Sequence, residues 1–165
     1  MEFRAGTVTI TDSDFIECST TCSGGALSLY TSGSSYTITA TVSNSRFIRC
    51  SAINGSGGAI SVGRSTGTAP ALALSKVVMQ DCTGASGQVI HLYNCNSFTW
   101  EHLCITGTGN FVSAELESIS LPSEEELTEG CEFTHFSLPY THNGYGHMKC
   151  LAKLVFSHYL YVDLW

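Results

Sequence analysis

The sequence predicts an all-β fold, namely a parallel β-helix of about four coils with an irregular capping segment at its C-terminal end. A motif that pairs Phe-x-x-Cys with Gly-Gly-Ala occurs at residues 15–27 and recurs at residues 47–60. Within each copy, apolar and polar residues alternate with the period of two that is typical of half-buried strands. No segment between the copies has the pattern of a crossover helix, so successive copies are expected to stack as a solenoid.

Three sets of apolar residues share one spacing of 32, which is the main support for stacking. Equivalent residues of stacked coils lie above one another at about 4.8 Å, so each set predicts a column that points into the core. The columns are Phe15, Phe47 and Met79; Cys18, Cys50 and Cys82; and Ile10, Val42 and Leu74.

The fourth copy is shorter, because Cys82 and Cys104 are only 22 residues apart. This spacing adds Cys104 to the cysteine column and aligns Glu101 with the phenylalanine column, where its charge is out of place. The Gly/Ser/Thr-rich residues 31–36 and 64–70 are then inserted loops of the longer copies.

Each copy is expected to contain three short strands, which in the first copy span residues 7–11, 15–18 and 26–30. A turn joins the first two strands. Gly24-Gly25 and Gly57-Gly58 mark a second corner, where the missing side chains permit a tight bend or a positive φ.

The paired motif resembles the repeats of the chlamydial polymorphic outer-membrane proteins, which combine a GGAI or GGAL tetrapeptide with FxxN. Residues 15–18 with 24–27 and residues 47–50 with 57–60 match this pattern, with cysteine in place of the family's asparagine. The resemblance implies a right-handed parallel β-helix of the pectate-lyase-like class and an adhesin-like role without catalytic residues. The chain also resembles large surface-protein families of parasitic protists, which implies the same role.

The repeats are assigned to residues 1–114, and residues 115–165 are assigned to an acidic segment and capping tail of the same domain. Residues 147–165 have a mixed pattern that fits a helix in part and a strand in part. The open end of a β-helix exposes unpaired backbone groups and needs a cover, which is the role we expect for this tail.

A short helix is expected within the acidic segment, with Ser123 as its N-cap and Glu126 at the third helical position. Residues 132–139 are candidates for a further coil. Cys131 is then a possible additional member of the cysteine column.

The bulk properties exclude two classes of partner. The net charge of −7 excludes a nucleic-acid backbone, because such a partner needs a basic surface. No run of about 18 apolar residues predicts a membrane span. No secretory signal is visible after Met1, and no cofactor is predicted.

Asp12 and Asp14 are the candidate carboxylates for an enzyme, because polysaccharide lyases and glycosidases use this fold. Glycosidases need two carboxyl groups about 5–9 Å apart on one face. The aligned residues of the next copy are Asn44 and Arg46, so the carboxylates do not recur. We interpret Asp12 and Asp14 as turn residues and predict no catalytic residue.

The eight cysteines have three interpretations. The spacing favours stacked interior thiols that behave as small hydrophobic side chains. Disulfides are the second interpretation, with Cys22 and Cys95 as candidates outside the column. Metal binding is the third, although the spacing of its candidate ligands matches no common zinc module. Those ligands are Cys131, His135, His142, His147 and Cys150.

Threonine residues alternate along the first strand of the first two copies, at Thr7, Thr9 and Thr11 and at Thr37, Thr39 and Thr41. They are similar to the flat threonine arrays of ice-binding solenoids, but the array ends in the next copy at Ala71, Ala73 and Ser75. We interpret these threonines as outward β-branched residues that strands favour. Asn54 begins a glycosylation sequon, which matters if the chain is secreted.

The sequence therefore predicts a non-enzymatic surface or adhesin-like module that binds a host-surface protein or a glycan through an extended face. The expected location is the cell surface or the extracellular space. The alternative is a carbohydrate-active enzyme, either a polysaccharide lyase or a glycosidase, or a remnant of one. A clustered acidic groove would favour the enzyme, and a flat Ser/Thr face without one would favour the binding module.

Overall fold

A computed structural model gives the structure of the protein and describes residues 1–33, 36–115 and 118–133. These residues form 13 strands and one helix. In chain order the elements are β1 (Glu2–Phe3), β2 (Gly6–Thr11), β3 (Asp14–Ile16), β4 (Ser19–Thr20), β5 (Leu27–Ser32), β6 (Ile38–Ile48), β7 (Ser51–Ala52), β8 (Ile60–Thr66), β9 (Ala71–Gln80), β10 (Thr83–Gly84), β11 (Ile90–Tyr93), β12 (Ser97–Thr106), β13 (Val112–Ala114) and α1 (Glu124–Phe133).

The strands form three sheets in which every pair of neighbours is parallel. Sheet 1 has the order β12-β9-β6-β2 with β3 also paired to β6, sheet 2 has the order β10-β7-β4, and sheet 3 has the order β1-β5-β8-β11-β13. From β2 onward the chain passes through sheet 1, sheet 2 and sheet 3 in turn, and we call one such passage a circuit. The predicted all-β class with parallel strands is confirmed.

The register of sheet 1 confirms the predicted spacing of 32 in the first three circuits. Phe15 pairs with Phe47, and Phe47 pairs with Met79. The rings of Phe15 and Phe47 are stacked, with centroids 4.6 Å apart and planes 4° from parallel. Val42 likewise pairs with Ile10 on one side and with Leu74 on the other. Both columns are buried in a single core that all three sheets share.

The fourth circuit has a different register in sheet 1. Ile105 pairs with Met79, a spacing of 26 residues, whereas in sheet 3 Val112 pairs with Ile90 at a spacing of 22. The two values differ because this circuit runs from β12 to β13 with no strand in sheet 2, which shortens the link after sheet 1.

This register corrects two sequence-based alignments. Cys104 pairs with Val78 and not with the cysteine column, and Glu101 pairs with Ser75 and not with Met79. Glu101 therefore points away from the core, which removes the buried charge that the 22-residue spacing implied. The predicted extension of the cysteine column to Cys104 is wrong.

The predicted strands of the first copy correspond to β2, β3 and β5, with the short strand β4 in addition. β3 ends early because Glu17 has a left-handed conformation, with φ 56°. The predicted loops at residues 31–36 and 64–70 are shorter than expected, since β5 continues to Ser32 and β8 continues to Thr66.

A column of left-handed residues bends sheet 1 at the same point in each circuit. Asp12, Asn44, Lys76 and His102 have φ between 46° and 53°. A left-handed conformation costs an ordinary residue about 1–2 kcal/mol, and Asn and Asp tolerate it best. The predicted turn after β2 is this bend, and in the second circuit β6 continues through it.

The two glycines of each Gly-Gly-Ala motif have separate roles at the corner before sheet 3. Gly24 and Gly57 have φ 76° and 72°, which only glycine adopts readily. A Cβ on Gly25 would overlap the backbone of Ser51, and a Cβ on Gly58 would overlap that of Thr83. The first glycine therefore makes the bend, and the second allows adjacent circuits to approach closely. The predicted corner is confirmed.

The helix α1 begins where the sequence predicts. The Glu126 amide donates to Ser123 Oγ at 3.2 Å, and the Ser123 amide donates to the Glu126 carboxylate at 2.8 Å, which is a capping box. The buried side chain of Leu127 joins the core, and α1 lies against β12. The prediction of a further coil from residue 132 is wrong for residues 132 and 133, which belong to α1.

The rest of that predicted coil, the mixed segment 147–165 and most of the proposed capping tail lie outside the described residues. Within the described ranges, no helix is long and apolar enough to cross a membrane. The division at residue 114 into repeats and capping tail stays a prediction.

Replacing Phe47 with alanine should lower the free energy of unfolding by about 3–5 kcal/mol, because it leaves a cavity between Phe15 and Met79. Urea denaturation followed by circular dichroism measures the change. Thr41→Ala is the matched control on the same strand, where the side chain is exposed, and should cost less than about 1 kcal/mol. Equal losses for the two variants would contradict an inward phenylalanine column.

Candidate functional site

The outward face of sheet 1 is in register and rich in hydroxyl groups. Thr39 pairs with Thr7 and Ala71, and Thr41 pairs with Thr9 and Ala73. Because side chains of a strand alternate between its two sides, every second residue of β2, β6, β9 and β12 points outward. We call these outward side chains before the bend the hydroxyl face: Thr7, Thr9, Thr11, Thr39, Thr41, Ser43, Ala71, Ala73, Ser75, Ser97, Thr99 and Glu101.

The hydroxyl face is nearly free of charge, since Glu101 is its only ionisable side chain. Thr7, Thr9, Thr39 and Thr41 are exposed, which confirms their predicted outward orientation. Their hydroxyl groups are about 4.8 Å apart across strands and about 6.6 Å apart along a strand. Each hydroxyl can both donate and accept a hydrogen bond. The face is therefore suited to a flat, polar and uncharged ligand.

A shallow depression of about 270 Å³ lies on this face. Its outward lining includes Thr41, Ala73, Ser75, Thr99 and Glu101. The depression arises because Ala73 is smaller than the threonines that flank it on β6 and β12. A ring edge or a small branch of a ligand fits into a depression of this kind.

Two of the polar features found in the sequence lie off this face. Thr37 precedes β6, and its carbonyl accepts a hydrogen bond from the Gly6 amide at 2.8 Å. Asn54 is exposed in the loop between β7 and β8, so its sequon is accessible to solvent.

An adjoining concavity of about 220 Å³, which we call the end groove, lies between β12 and α1. Its lining consists of Trp100, Glu101, His102, Glu126, Glu129 and Gly130. Trp100 continues the column of Leu74 and stacks at a tilt on Phe98, with centroids 5.2 Å apart. The sequence alignment missed this groove because α1 could not be placed against β12 from a repeat that had already ended.

The carboxylates of the end groove are held by other groups. The amide and the hydroxyl of Ser123, and the indole of Trp100, lower the pKa of the Glu126 carboxyl. Glu101 accepts a hydrogen bond from the hydroxyl of Ser75 at 3.1 Å. Glu126 therefore stays ionised in its role as helix cap, which is the opposite of what a general acid requires.

The candidate carboxylates Asp12 and Asp14 also have structural partners. Asp14 forms a two-point ion pair with Arg46, which lies directly above it in the next circuit. This hydrogen bond raises the pKa of the Arg46 guanidinium, against the opposing effect of burial. Asp12 lies at the bend and accepts a hydrogen bond from the Thr11 hydroxyl at 2.9 Å. The predicted alignment of Asp14 with Arg46 is confirmed.

The cysteine column is real for its first three members. Cys18, Cys50 and Cys82 are buried. The Cys50 thiol donates to the Phe15 carbonyl at 3.3 Å, and the Cys82 thiol donates to the Phe47 carbonyl at 3.4 Å. A hydrogen bond with Cys18 lowers the pKa of Cys50, but the contact with Cys82 and burial outweigh it and raise the pKa to about 12. These residues are the interior thiols that the spacing predicts.

One disulfide is present among the described residues, between Cys104 and Cys131. Cys22 and Cys95 are free thiols, so their proposed role in disulfides is wrong. Cys131 is not available as a metal ligand, and the part of the chain that the structure describes contains no group of three possible ligands. The other candidate ligands, His135, His142, His147 and Cys150, lie outside the described residues.

Comparison with known proteins identifies no relative. No protein-family model matches the chain, and no curated protein or solved structure shows significant similarity to it. The resemblance to chlamydial and protist repeats is therefore a hypothesis that rests on residues 15–27 and 47–60.

Iodoacetamide should modify Cys22 in the folded protein much faster than Cys18, Cys50 or Cys82. Cys22 is exposed, whereas the column thiols are buried and the pKa of Cys50 is about 12, so little thiolate is available for reaction. Peptide mass spectrometry before and after denaturation measures the modification of each site. Modification of Cys50 at the rate of Cys22 in the folded protein would contradict the interior column.

Proposed function

We propose that the chain is a right-handed parallel β-helix that acts as a non-enzymatic, adhesin-like surface module. Its three parallel sheets would be the three faces of the β-helix, and the hydroxyl face would bind the ligand. The observation that carries this proposal is the flat, in-register and almost uncharged array of threonine and serine side chains on sheet 1.

The β-helix interpretation is supported by the order in which the chain visits its sheets. The first three circuits pass through sheet 1, sheet 2 and sheet 3 in the same sequence, and all pairing is between adjacent circuits. Parallel strands of one sheet joined by a crossover have a right-handed connection in about 98% of cases. This general rule favours the right-handed form.

A glycan is the ligand that the hydroxyl face fits best. Sugar rings present rows of hydroxyl groups that bind hydroxyl donors and acceptors without a formal charge. The depression beside Ala73 offers a recess for one ring or branch. A host-surface protein is the other partner that the resemblance implies, and the experiment below separates the two.

A location at the cell surface or in the extracellular space is supported by the Cys104–Cys131 disulfide. Disulfides persist in oxidising compartments and are rare in the cytosol. The disulfide joins α1 to the strand that also lines the end groove, so the proposed binding region is stabilised in such a compartment.

A carbohydrate-active enzyme is the second candidate, and the end groove is the observation that favours it. Glu101, Glu126 and Glu129 line one concavity next to Trp100. Acid catalysis at a glycosidic bond needs a carboxyl group with a raised pKa. The pKa of Glu126 is lowered instead, so the groove supplies a poor general acid, and we rank the binding module first.

Binding to a glycan array should therefore identify neutral glycans, and Thr41→Lys should weaken that binding by at least about tenfold, or about 1.4 kcal/mol. The lysine places a long charged side chain at the centre of the hydroxyl face. Thr83→Lys is the matched control, because Thr83 is also an exposed strand residue but lies in sheet 2.

Two outcomes would overturn the proposal. Equal loss of binding in both lysine variants, or binding to cells that protease treatment abolishes and glycosidase treatment does not, would exclude glycan recognition by the hydroxyl face. Cleavage of a polysaccharide that Glu129→Gln eliminates would establish the enzyme instead.

A further inference from the structure

The outer edge of β12 is covered by α1. The Asp81 amide donates to the Thr106 carbonyl at 3.0 Å, so the backbone groups of Thr106 face β9. Because backbone groups of a strand alternate between its two neighbours, those of Leu103 face the opposite side, away from β9. Gly130 of α1 lies on this side, so close that a Cβ there would overlap the backbone of Leu103.

The cover is fastened where the helix comes closest to the strand. Cys104 and Cys131, the neighbours of Leu103 and Gly130, form the disulfide with their Cα atoms 4.5 Å apart. The remaining anchors of α1 are the buried Leu127 and the contact of Glu126 with Trp100. The disulfide is therefore the only covalent link in the described chain between the helix and the edge it covers.

The opposite edge of sheet 1 is formed by β2. The amides of Gly6 and Asp12 donate to carbonyls of the second circuit at 2.8 and 3.2 Å, so alternation directs the backbone groups of Thr7, Thr9 and Thr11 away from β6. No strand among residues 1–33, 36–115 and 118–133 pairs with this side of β2.

We propose that α1 is a removable cover, and that opening it allows a second copy of this chain to add its β2 edge to β12. Simple translation of one copy along the stacking direction places β2 beside β12 as the next parallel strand. The same translation brings β4 towards β10 and β1 towards β13, because the order of circuits is the same in all three sheets. A two-fold rotation would instead exchange sheet 2 and sheet 3, so the contact is head-to-tail and does not close.

Reduction of the disulfide opens the cover. A dithiol attacks one sulfur, the bond between the Sγ atoms of Cys104 and Cys131 breaks, and both become thiols. The dithiol loses two electrons and two protons and becomes a disulfide. The five free cysteines of the described residues are already thiols, so reduction changes only this link among them.

Light scattering coupled to size-exclusion chromatography of the full chain tests the proposal. The oxidised protein should be monomeric, and dithiothreitol should produce oligomers whose size increases with protein concentration. The double variant Cys104→Ser, Cys131→Ser should form them without reductant. Hydrogen exchange of the α1 peptide should become at least about tenfold faster in both cases.

Three further variants distinguish edge pairing from other association. Thr9→Pro removes an outward amide of β2, at an edge where proline is tolerated, and should abolish the oligomers. Cys22→Ser removes the exposed thiol and should leave them unchanged. Gly130→Ala should promote association without any change in thiols, although alanine normally favours a helix by about 1 kcal/mol.

Monomers in the reduced protein and in the double variant, with an unchanged circular dichroism spectrum, would overturn the proposal. Oligomers that Thr9→Pro does not reduce would also overturn it, since they would show association through another surface.

Discussion

The in-register stacking of parallel circuits is the constraint on which the rest of the structure depends. Each side chain lies against its own equivalent about 4.8 Å away, so a residue type must be compatible with its copy. Aromatic residues meet this requirement by stacking face to face, as Phe15 and Phe47 do. Charged residues meet it by alternating in sign, as in Asp14 with Arg46, because like charges directly opposite are destabilising.

The same constraint explains the backbone at the corners. A second circuit approaches so closely that Gly25 and Gly58 have no room for a Cβ. Bends must also occur at the same height in each circuit, and a left-handed residue therefore recurs at Asp12, Asn44 and Lys76 even where the residue is poorly suited to it. The sequence motif is thus a record of backbone geometry, and it carries no information about the ligand.

Features that follow from the period could be predicted from the sequence, and features that depend on its interruption could not. The columns of Phe15 and Cys18 follow from a spacing of 32 that insertions do not disturb. The fourth circuit loses residues in two places, so the single spacing of 22 aligned sheet 3 correctly and sheet 1 incorrectly. The alternation in residues 97–100, which places Phe98 and Trp100 over Leu72 and Leu74, was the available signal for the correct register.

Local and long-range features of the candidate site differ in the same way. The capping box at Ser123 involves residues three positions apart, and the sequence alone identifies it. The end groove and the Cys104–Cys131 disulfide depend on where α1 meets β12, which no periodic pattern encodes.

The shortened circuit and the disulfide are two consequences of one change. In the observed register Cys104 follows Arg46 and Val78 in an outward column, and not Cys82 in the core. An outward thiol on the last strand of sheet 1 is accessible to a helix that lies along the edge, and Cys131 occupies that helix. A cysteine in the regular column would have been enclosed by the core and unable to reach α1. The break in the repeat therefore ends the column and, by the same displacement, provides the attachment point for the element that covers the edge.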